Sequence, residues 1–413
     1  MNNERTYKIL KIAIIVLAFI FVIEAIYFGY RIYERYQNTI YYSSINDCLK
    51  KDDNYIAVGF SDFKHSDNYE YEDPGYIKPA LFVYDNNFNL TKEIKLEEGL
   101  NGSLTDIIDT GDGYVVVGYV ELSKKSGEET VNEALIIKYD YDFNVLWQDK
   151  VQILDNNKFL KVALDKNNDI VAVGTSIYNS GYIGNHTTGG GILIKYNQDG
   201  EELMRTNYGG PNTDSFNDLV ITDDFYLVVG TVDTGTGFLI KYDYEGKELD
   251  HQYYGYTDSL GLTSISRLGD DEFIVTTSKL KEKNSTDSYE AALLKYNSDL
   301  ELLSEKKVQE SDISRFQDTV VVDDKIVALM AYGVKENNIL VNDTMLIEYD
   351  QDLNELKRTT LEGDHIVTLN NLIYDGNDYI AVGNTDSKVE GLKTNGKDFY
   401  GIIIKYNKEL QRN

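Results

Sequence analysis

One cysteine, Cys48, stands alone in 413 residues. No intrachain disulfide is available, so the fold must rest on its core. Histidine is nearly as scarce, with His65, His186, His251 and His365 the whole supply. No H-E-x-x-H or C-x-x-C spacing occurs, which removes the common zinc frameworks. A G-x-S-x-G elbow is missing, and so is a G-x-G-x-x-G turn into a helix, so no serine-hydrolase or dinucleotide signature is present. Positive charge is short as well: 40 Lys and Arg face 69 Asp and Glu, for a net charge of −29. Residues 1–30 carry Arg5, Lys8 and Lys11 against Glu4 and Glu24, so the remaining chain holds −30. Such a surface is repelled by nucleic acid and anionic lipid, which argues against a nucleic-acid partner.

Tyrosine, by contrast, is abundant at 34 residues, a composition that suits strands. Seven times an apolar run ends on Tyr followed by Asp or Asn: ALFVYD, ALIIKYD, GILIKYN, GFLIKYD, AALLKYN, TMLIEYD and GIIIKYN. Their tyrosines are Tyr84, Tyr139, Tyr196, Tyr242, Tyr296, Tyr349 and Tyr406, spaced 46 to 57 residues apart. A period of that size with several strands per repeat marks a β-propeller. The copy over 104–153 shows the unit: LTDIIDTG, then GYVVVGYVEL, EALIIKYDYD and NVLWQDKVQI. Its second and third strands are near-continuous apolar runs, as strands buried on both faces are, and its fourth is mixed, as an outer edge is. The glycine of YIAVG, YVVVG, IVAVG, YLVVG and YIAVG (Gly59, Gly118, Gly174, Gly230, Gly383) implies close backbone approach between blades. Asp, Asn and Gly after each tyrosine are hairpin-turn chemistry. The sequence therefore predicts an all-β fold, a seven-bladed β-propeller of four-stranded antiparallel blades over 37–413, preceded by one N-terminal transmembrane helix.

That helix is expected over residues 12–30, apolar except for Glu24. At 1.5 Å per residue it would span roughly 28 Å, one hydrocarbon core. Tyr27, Tyr30, Tyr33 and Tyr36 follow as an interfacial belt would. No A-x-A-like cleavage site follows, and Cys48 is too far downstream for lipidation, so the expected form is an uncleaved signal anchor. Arg5, Lys8 and Lys11 place residues 1–11 in the cytoplasm. Residues 31–36 become a linker. The expected location is the cell membrane, single-pass, with the propeller extracytoplasmic. The seventh copy ends at Asn413 without room for a fourth strand, so a segment around 39–42 is expected to supply it and close the ring.

Long links between second and third strands gather at one end of the array, where binding residues usually lie. They offer Tyr69, Tyr71 and Tyr76 on one loop and Tyr178, Tyr182 and His186 on another as ligand contacts, suited to a protein or glycan partner. Folding of these tyrosines back onto the scaffold is the competing reading. An acid recurs at the start of the innermost, first strands, as Asp47, Asp106, Asp218 and Asp318, with Lys161, Ser264 and Asn371 in the other copies. A carboxylate ring near the channel mouth on the long-loop face has the chemistry for a hard cation such as Ca²⁺; otherwise no cofactor is expected. Local hydrogen bonding to backbone is the alternative for the same residues. Lysine precedes the tyrosine at Lys138, Lys195, Lys241, Lys295 and Lys405, either as a basic patch or as strand-end lysines reaching for solvent.

The unit D-I…D-G-Y-I-V-V-G…A-L-I-I-K-Y-D-x-D-G resembles the bacterial β-propeller repeats called SBBP-type, over roughly 37–413. The resemblance implies a surface or secreted protein and transfers no catalytic motif. The functional expectation is a membrane-tethered, monomeric binding or scaffold module for a protein or glycan partner at the cell envelope. The alternative is a propeller-type hydrolase or lyase using a cation held at the channel mouth.

Overall fold

Runs such as Val115–Val117 and Leu135–Ile137 are wholly buried, because strands apolar on both faces are stable only between other layers. In the computed structural model these runs form the middle of successive antiparallel meanders. The structure describes residues 39–40, 43–62, 65–66, 77–97, 99, 101–122, 131–177, 189–209, 214–232, 235–255, 259–280, 288–336, 339–363, 366–386 and 400–412. The chain divides into two units, Met1–Tyr41 with Lys64–Gly75, and Tyr42–Phe63 with Tyr76–Asn413. In the smaller unit, β1 (Thr39–Ile40) pairs with β4 (His65–Ser66) as a two-stranded antiparallel sheet.

The larger unit opens with a four-stranded sheet, β2 (Ser43–Lys51), β3 (Asn54–Asp62), β5 (Ile77–Asp85) and β6 (Leu90–Lys95). The next meander is β7 (Gly102–Asp109), β8 (Gly113–Leu122), β9 (Val131–Asp140) and β10 (Val145–Val151). It shares an eight-stranded sheet with β11 (Asn156–Leu164), β12 (Ile170–Ile177), β13 (Gly190–Tyr196) and β14 (Glu202–Tyr208). A four-stranded sheet follows: β15 (Ser215–Ile221), β16 (Tyr226–Val232), β17 (Thr236–Tyr242) and β18 (Glu248–Tyr254). The second eight-stranded sheet begins with β19 (Ser259–Leu268), β20 (Glu272–Leu280), β21 (Tyr289–Asn297) and β22 (Leu302–Val308). It continues with β23 (Ile313–Val322), β24 (Lys325–Glu336), β25 (Ile339–Tyr349) and β26 (Glu355–Leu361). Three strands end the chain: β27 (Val367–Tyr374), β28 (Tyr379–Thr385) and β29 (Tyr400–Tyr406).

The expected seven-bladed propeller of four-stranded blades behind a membrane helix is thereby corrected. The fold of the described residues is all-β and propeller-like, but its sheets are open, and those of the larger unit hold eight, four or three strands. The third strands β9 and β21 run far enough to bridge the following first strand in parallel, at Asn132–Asn156 and Tyr289–Ile313, and so fuse neighbouring meanders. Within the smaller unit Thr39–Ile40 pairs with His65–Ser66; residues 41 and 42, the rest of the strand expected at 39–42, lie outside the described residues. Among the described residues there is no helix, and none long and apolar enough to cross a membrane, which corrects the single-pass membrane location. Residues 1–11, 12–30 and 31–36, on which that expectation rested, lie outside the described residues.

Within the larger unit β2 packs against β27, β28 and β29. Asp375 joins the two ends, accepting from Lys50 Nζ at 2.9 Å and Tyr55 Oη at 2.6 Å. The glycines of the second strands have a different reason from the one expected. A Cβ at Gly174 would lie 1.9 Å from the Lys158 carbonyl oxygen, and one at Gly59 would lie 1.9 Å from that of Ser44. The crowding is with the first strand of the same meander, where each register slips by a bulge, and not between neighbouring meanders. Where Thr277 replaces the glycine, it faces Leu262, and the residue before that is Gly261 at φ +85°, whose carbonyl accepts from Thr277 Oγ1 at 2.6 Å.

The repeated tyrosines are scaffold. Tyr196, Tyr242, Tyr296, Tyr349 and Tyr406 are almost fully buried, and the following Asp or Asn caps the turn. At Asp140, for example, Oδ1 accepts from the Asp142 and Asn144 amides at 2.9 and 2.8 Å. The tyrosines differ in how their hydroxyls are met. Tyr196 Oη donates to Asp149 at 2.9 Å, whereas Tyr242 Oη is buried with no partner among the described residues. Tyr196→Phe is therefore expected to cost about 1 kcal/mol, while Tyr242→Phe is neutral or stabilising by up to about 1 kcal/mol, read from urea midpoints. Equal losses for both would contradict this assignment.

Candidate functional site

The first strands β2, β7, β11, β15, β19, β23 and β27 line one cavity of about 690 Å³. Each carries a bulge in the same region, and in β2, β7 and β15 two adjacent residues there tie it to the next first strand. The bulged residue reaches a carbonyl. Asn46 Nδ2 donates to Leu104 O at 2.6 Å, Thr105 Oγ1 to Phe159 O at 2.9 Å, and Asn217 Nδ2 to Leu262 O at 2.7 Å. Asn370 Nδ2 donates to Ile45 O at 3.2 Å, joining last strand to first.

The following residue, where it is aspartate, reaches an amide. Asp47 accepts from the Ile107 amide at 3.2 Å and Asp106 from Val162 at 2.7 Å. Asp218 accepts from Ile265 at 2.8 Å and Asp318 from Leu372 at 2.9 Å. Where the preceding strand offers Lys161 or Ser264 instead, the amide is taken by the next aspartate itself, Leu219 by Asp218 and Thr319 by Asp318, each at 2.8 Å. Ser264 Oγ then donates to Asp318 at 2.8 Å. Asn371 Oδ1 is buried with no partner among the described residues.

Lys161 turns this ring into a charge cluster. Its ammonium lies 2.9 Å from Asp106, whose side chain is 2% exposed, while 30% of the lysine side chain is exposed and lines the cavity. Burial works against the ammonium, but the charges of Asp106, Asp47, Asp218 and Asp318 outweigh it and lift its pKa well above the ordinary value. The carboxyls respond oppositely. Burial, then the charge of Asp106, pushes Asp47 well up against the opposing pull of Lys161. Burial likewise raises Asp318, and lifts Asp218 to about 6. The Asp218 carboxyl is thus more basic folded than unfolded. Its contribution to stability is full below pH ~4 and fades as pH rises through ~6, a loss on the order of 2–3 kcal/mol. Urea unfolding of wild type and Asp218→Asn should show that decline between pH 4 and 6 in the wild type and a flatter profile in the variant.

Of the expected site residues, Asp47, Asp106, Asp218 and Asp318 are brought together. They stand mid-strand, and the cavity runs from them toward Lys50, Asp109, Leu164 and Asp375, where the first strands end, rather than toward the long loops. Among the described residues no group of three or more His, Cys, Asp or Glu is placed to hold a metal ion. Tyr69, Tyr71, Tyr76, Tyr178, Tyr182 and His186 lie outside the described residues. His251 is exposed on β18 beside Glu248 at 2.7 Å. The strand-end lysines are ties rather than a free basic patch. Lys138 meets Asp112 at 2.9 Å and Gln198 Oε1 of the next meander at 2.7 Å, and Lys195 meets Asp165 and Asp169 at 2.9 and 3.1 Å. Where the repeat has Glu348 instead, its neighbours are Lys325 and Lys357, at 3.0 and 3.3 Å. The bulge residues Asn46, Thr105, Asn217 and Asn370 were missed from sequence, although each directly precedes the recurrent acid or its replacement.

No protein-family model matches the chain, and no curated protein matches it in sequence. Among solved structures it is similar to Sqt1 from Chaetomium thermophilum, at 8% identity and TM-score 0.46, over 84% of this chain and 96% of that one. It is also similar to the acylaminoacyl peptidase of Pyrococcus horikoshii, at 11% identity and TM-score 0.49, over 90% of this chain. The match covers 52% of that peptidase, so this chain spans about half its length.

Proposed function

We infer that the chain is a binding or scaffold module for a protein or glycan partner rather than a catalyst. The observation that carries this reading is the central cavity, whose carboxylates are already committed to the scaffold. Each of Asp47, Asp106, Asp218 and Asp318 accepts a backbone amide of another first strand, and Asp106 also holds Lys161. Groups so engaged brace a rigid wall, which suits recognition by shape and charge. The alternative, a hydrolase or lyase working through a cation at this ring, would have to displace an ammonium from Asp106 and amides from the other carboxylates.

Peptide and glycan arrays probed with the labelled full-length chain test the reading. At least one saturable ligand, recovered unchanged by mass spectrometry, is the expected result. Ligands recovered cleaved, or no saturable ligand on either array, would overturn it.

A further inference from the structure

We propose that the central cavity takes a neutral saccharide, held at the floor by Lys161 and along the sides by apolar residues of the first strands. This rests on the binding reading and names the ligand class of the same cavity.

Burial decides which groups a ligand meets there. Asp47, Asp106 and Asp218 are 4%, 2% and 7% exposed. Asp318 is half-buried, with its oxygens on Ser264 Oγ and the Thr319 and Leu372 amides. Lys161, by contrast, keeps 30% of its side chain exposed and lines the cavity. Of its three ammonium donors one is spent on Asp106 at 2.9 Å. The other two meet no acceptor among the described residues. The polar group on offer at the floor is therefore a pair of donors. Two residues beyond the ring positions, half-buried Leu49, Ile108, Ala163 and Ile373 set an apolar band between the floor and the mouth.

Charge and backbone then select the ligand. A cation meets the Lys161 ammonium before it meets a carboxylate. An anion meets the same ammonium with the charges of Asp47, Asp106, Asp218 and Asp318 beside it, in a chain of net charge −29. An extended peptide needs free main-chain groups, and the first strands have spent theirs at this level. The Ile45, Leu104, Phe159 and Leu262 carbonyls accept from side chains. The Ile107, Val162, Ile265 and Leu372 amides donate to the four aspartates. What fits is an uncharged molecule with several oxygen acceptors and apolar C–H faces, which is the chemistry of a pyranose ring. The cavity of about 690 Å³ falls within the ~300–1,000 Å³ of ordinary small-ligand pockets, so it has room for a short saccharide entering past Lys50, Asp109 and Asp375.

Titration calorimetry of the full-length chain at pH 7 with maltotriose, cellotriose and chitotriose tests this. At least one should bind saturably, and about tenfold or more weaker to Lys161→Met. The double variant Asp106→Asn/Lys161→Met should lose as much. It removes the ammonium together with the charge it balances, so a loss there does not come from an unpaired carboxylate. The bound saccharide should also slow reductive methylation of Lys161, read by peptide mass spectrometry, and leave the exposed Lys307 unchanged. No saturable binding of any of the three overturns the proposal, and so does binding that leaves Lys161 reacting at its free rate. A peptide bound while the saccharides stay silent sinks this inference and keeps the binding reading. A saccharide that protects Lys161 but is recovered cleaved does the reverse.

Discussion

Asp106→Ala is expected to destabilise the protein by about 3–5 kcal/mol. Asp106 accepts the Val162 amide at 2.7 Å through one oxygen and holds Lys161 at 2.9 Å through the other. Truncation leaves a buried amide unmet and an ammonium without its nearest counter-charge, and each loss is costly in a desolvated setting. Relief of the repulsion between Asp106 and Asp47 offsets only part of this, because Asp47 is already driven toward its neutral form by burial. Asp106→Asn keeps an acceptor for Val162 and should lose less, about 1–3 kcal/mol. Urea unfolding at pH 7 separates the two variants. A loss under about 1 kcal/mol for the alanine variant would mean that the brace contributes little.

The second large effect is expected at Gly174. A Cβ there would stand 1.9 Å from the Lys158 carbonyl oxygen and 2.8 Å from the Phe159 Cα. Both obstacles are backbone, so no side chain can swing aside. Gly174→Val must push β12 away from β11 at the bulge beside Lys161, and a loss of at least about 3 kcal/mol is expected. Gly111 is the control. A Cβ there meets nothing within 4 Å, but its φ of +84° leaves strain as the main penalty. Gly111→Ala should cost about 1 kcal/mol. Equal losses at both positions would show that backbone crowding is not what selects glycine in the second strands.

Much of the scaffold could be read from the chain because it recurs. The tyrosines, the turn carboxamides and carboxylates, and the apolar second and third strands each repeat a local rule, and repetition averages away the ambiguity of any one strand. The departures were harder. Lys161 reads as one replacement among repeats, and no spacing reveals that it faces the acids of the other first strands across a cavity. The acid positions themselves were visible, but their bonds to amides of neighbouring strands depend on a bulge that has no signature beyond the preceding Asn or Thr. The apolar run at 12–30 satisfied a length rule, which gives no information about the described fold.

Lys161 and Asp106, 2.9 Å apart, act as one brace at the centre of the first strands. A double-mutant cycle of Asp106→Asn and Lys161→Met, followed by urea unfolding at pH 7, measures that coupling directly. A coupling energy of about 2 kcal/mol or more is predicted, and a value below about 0.5 kcal/mol would contradict it.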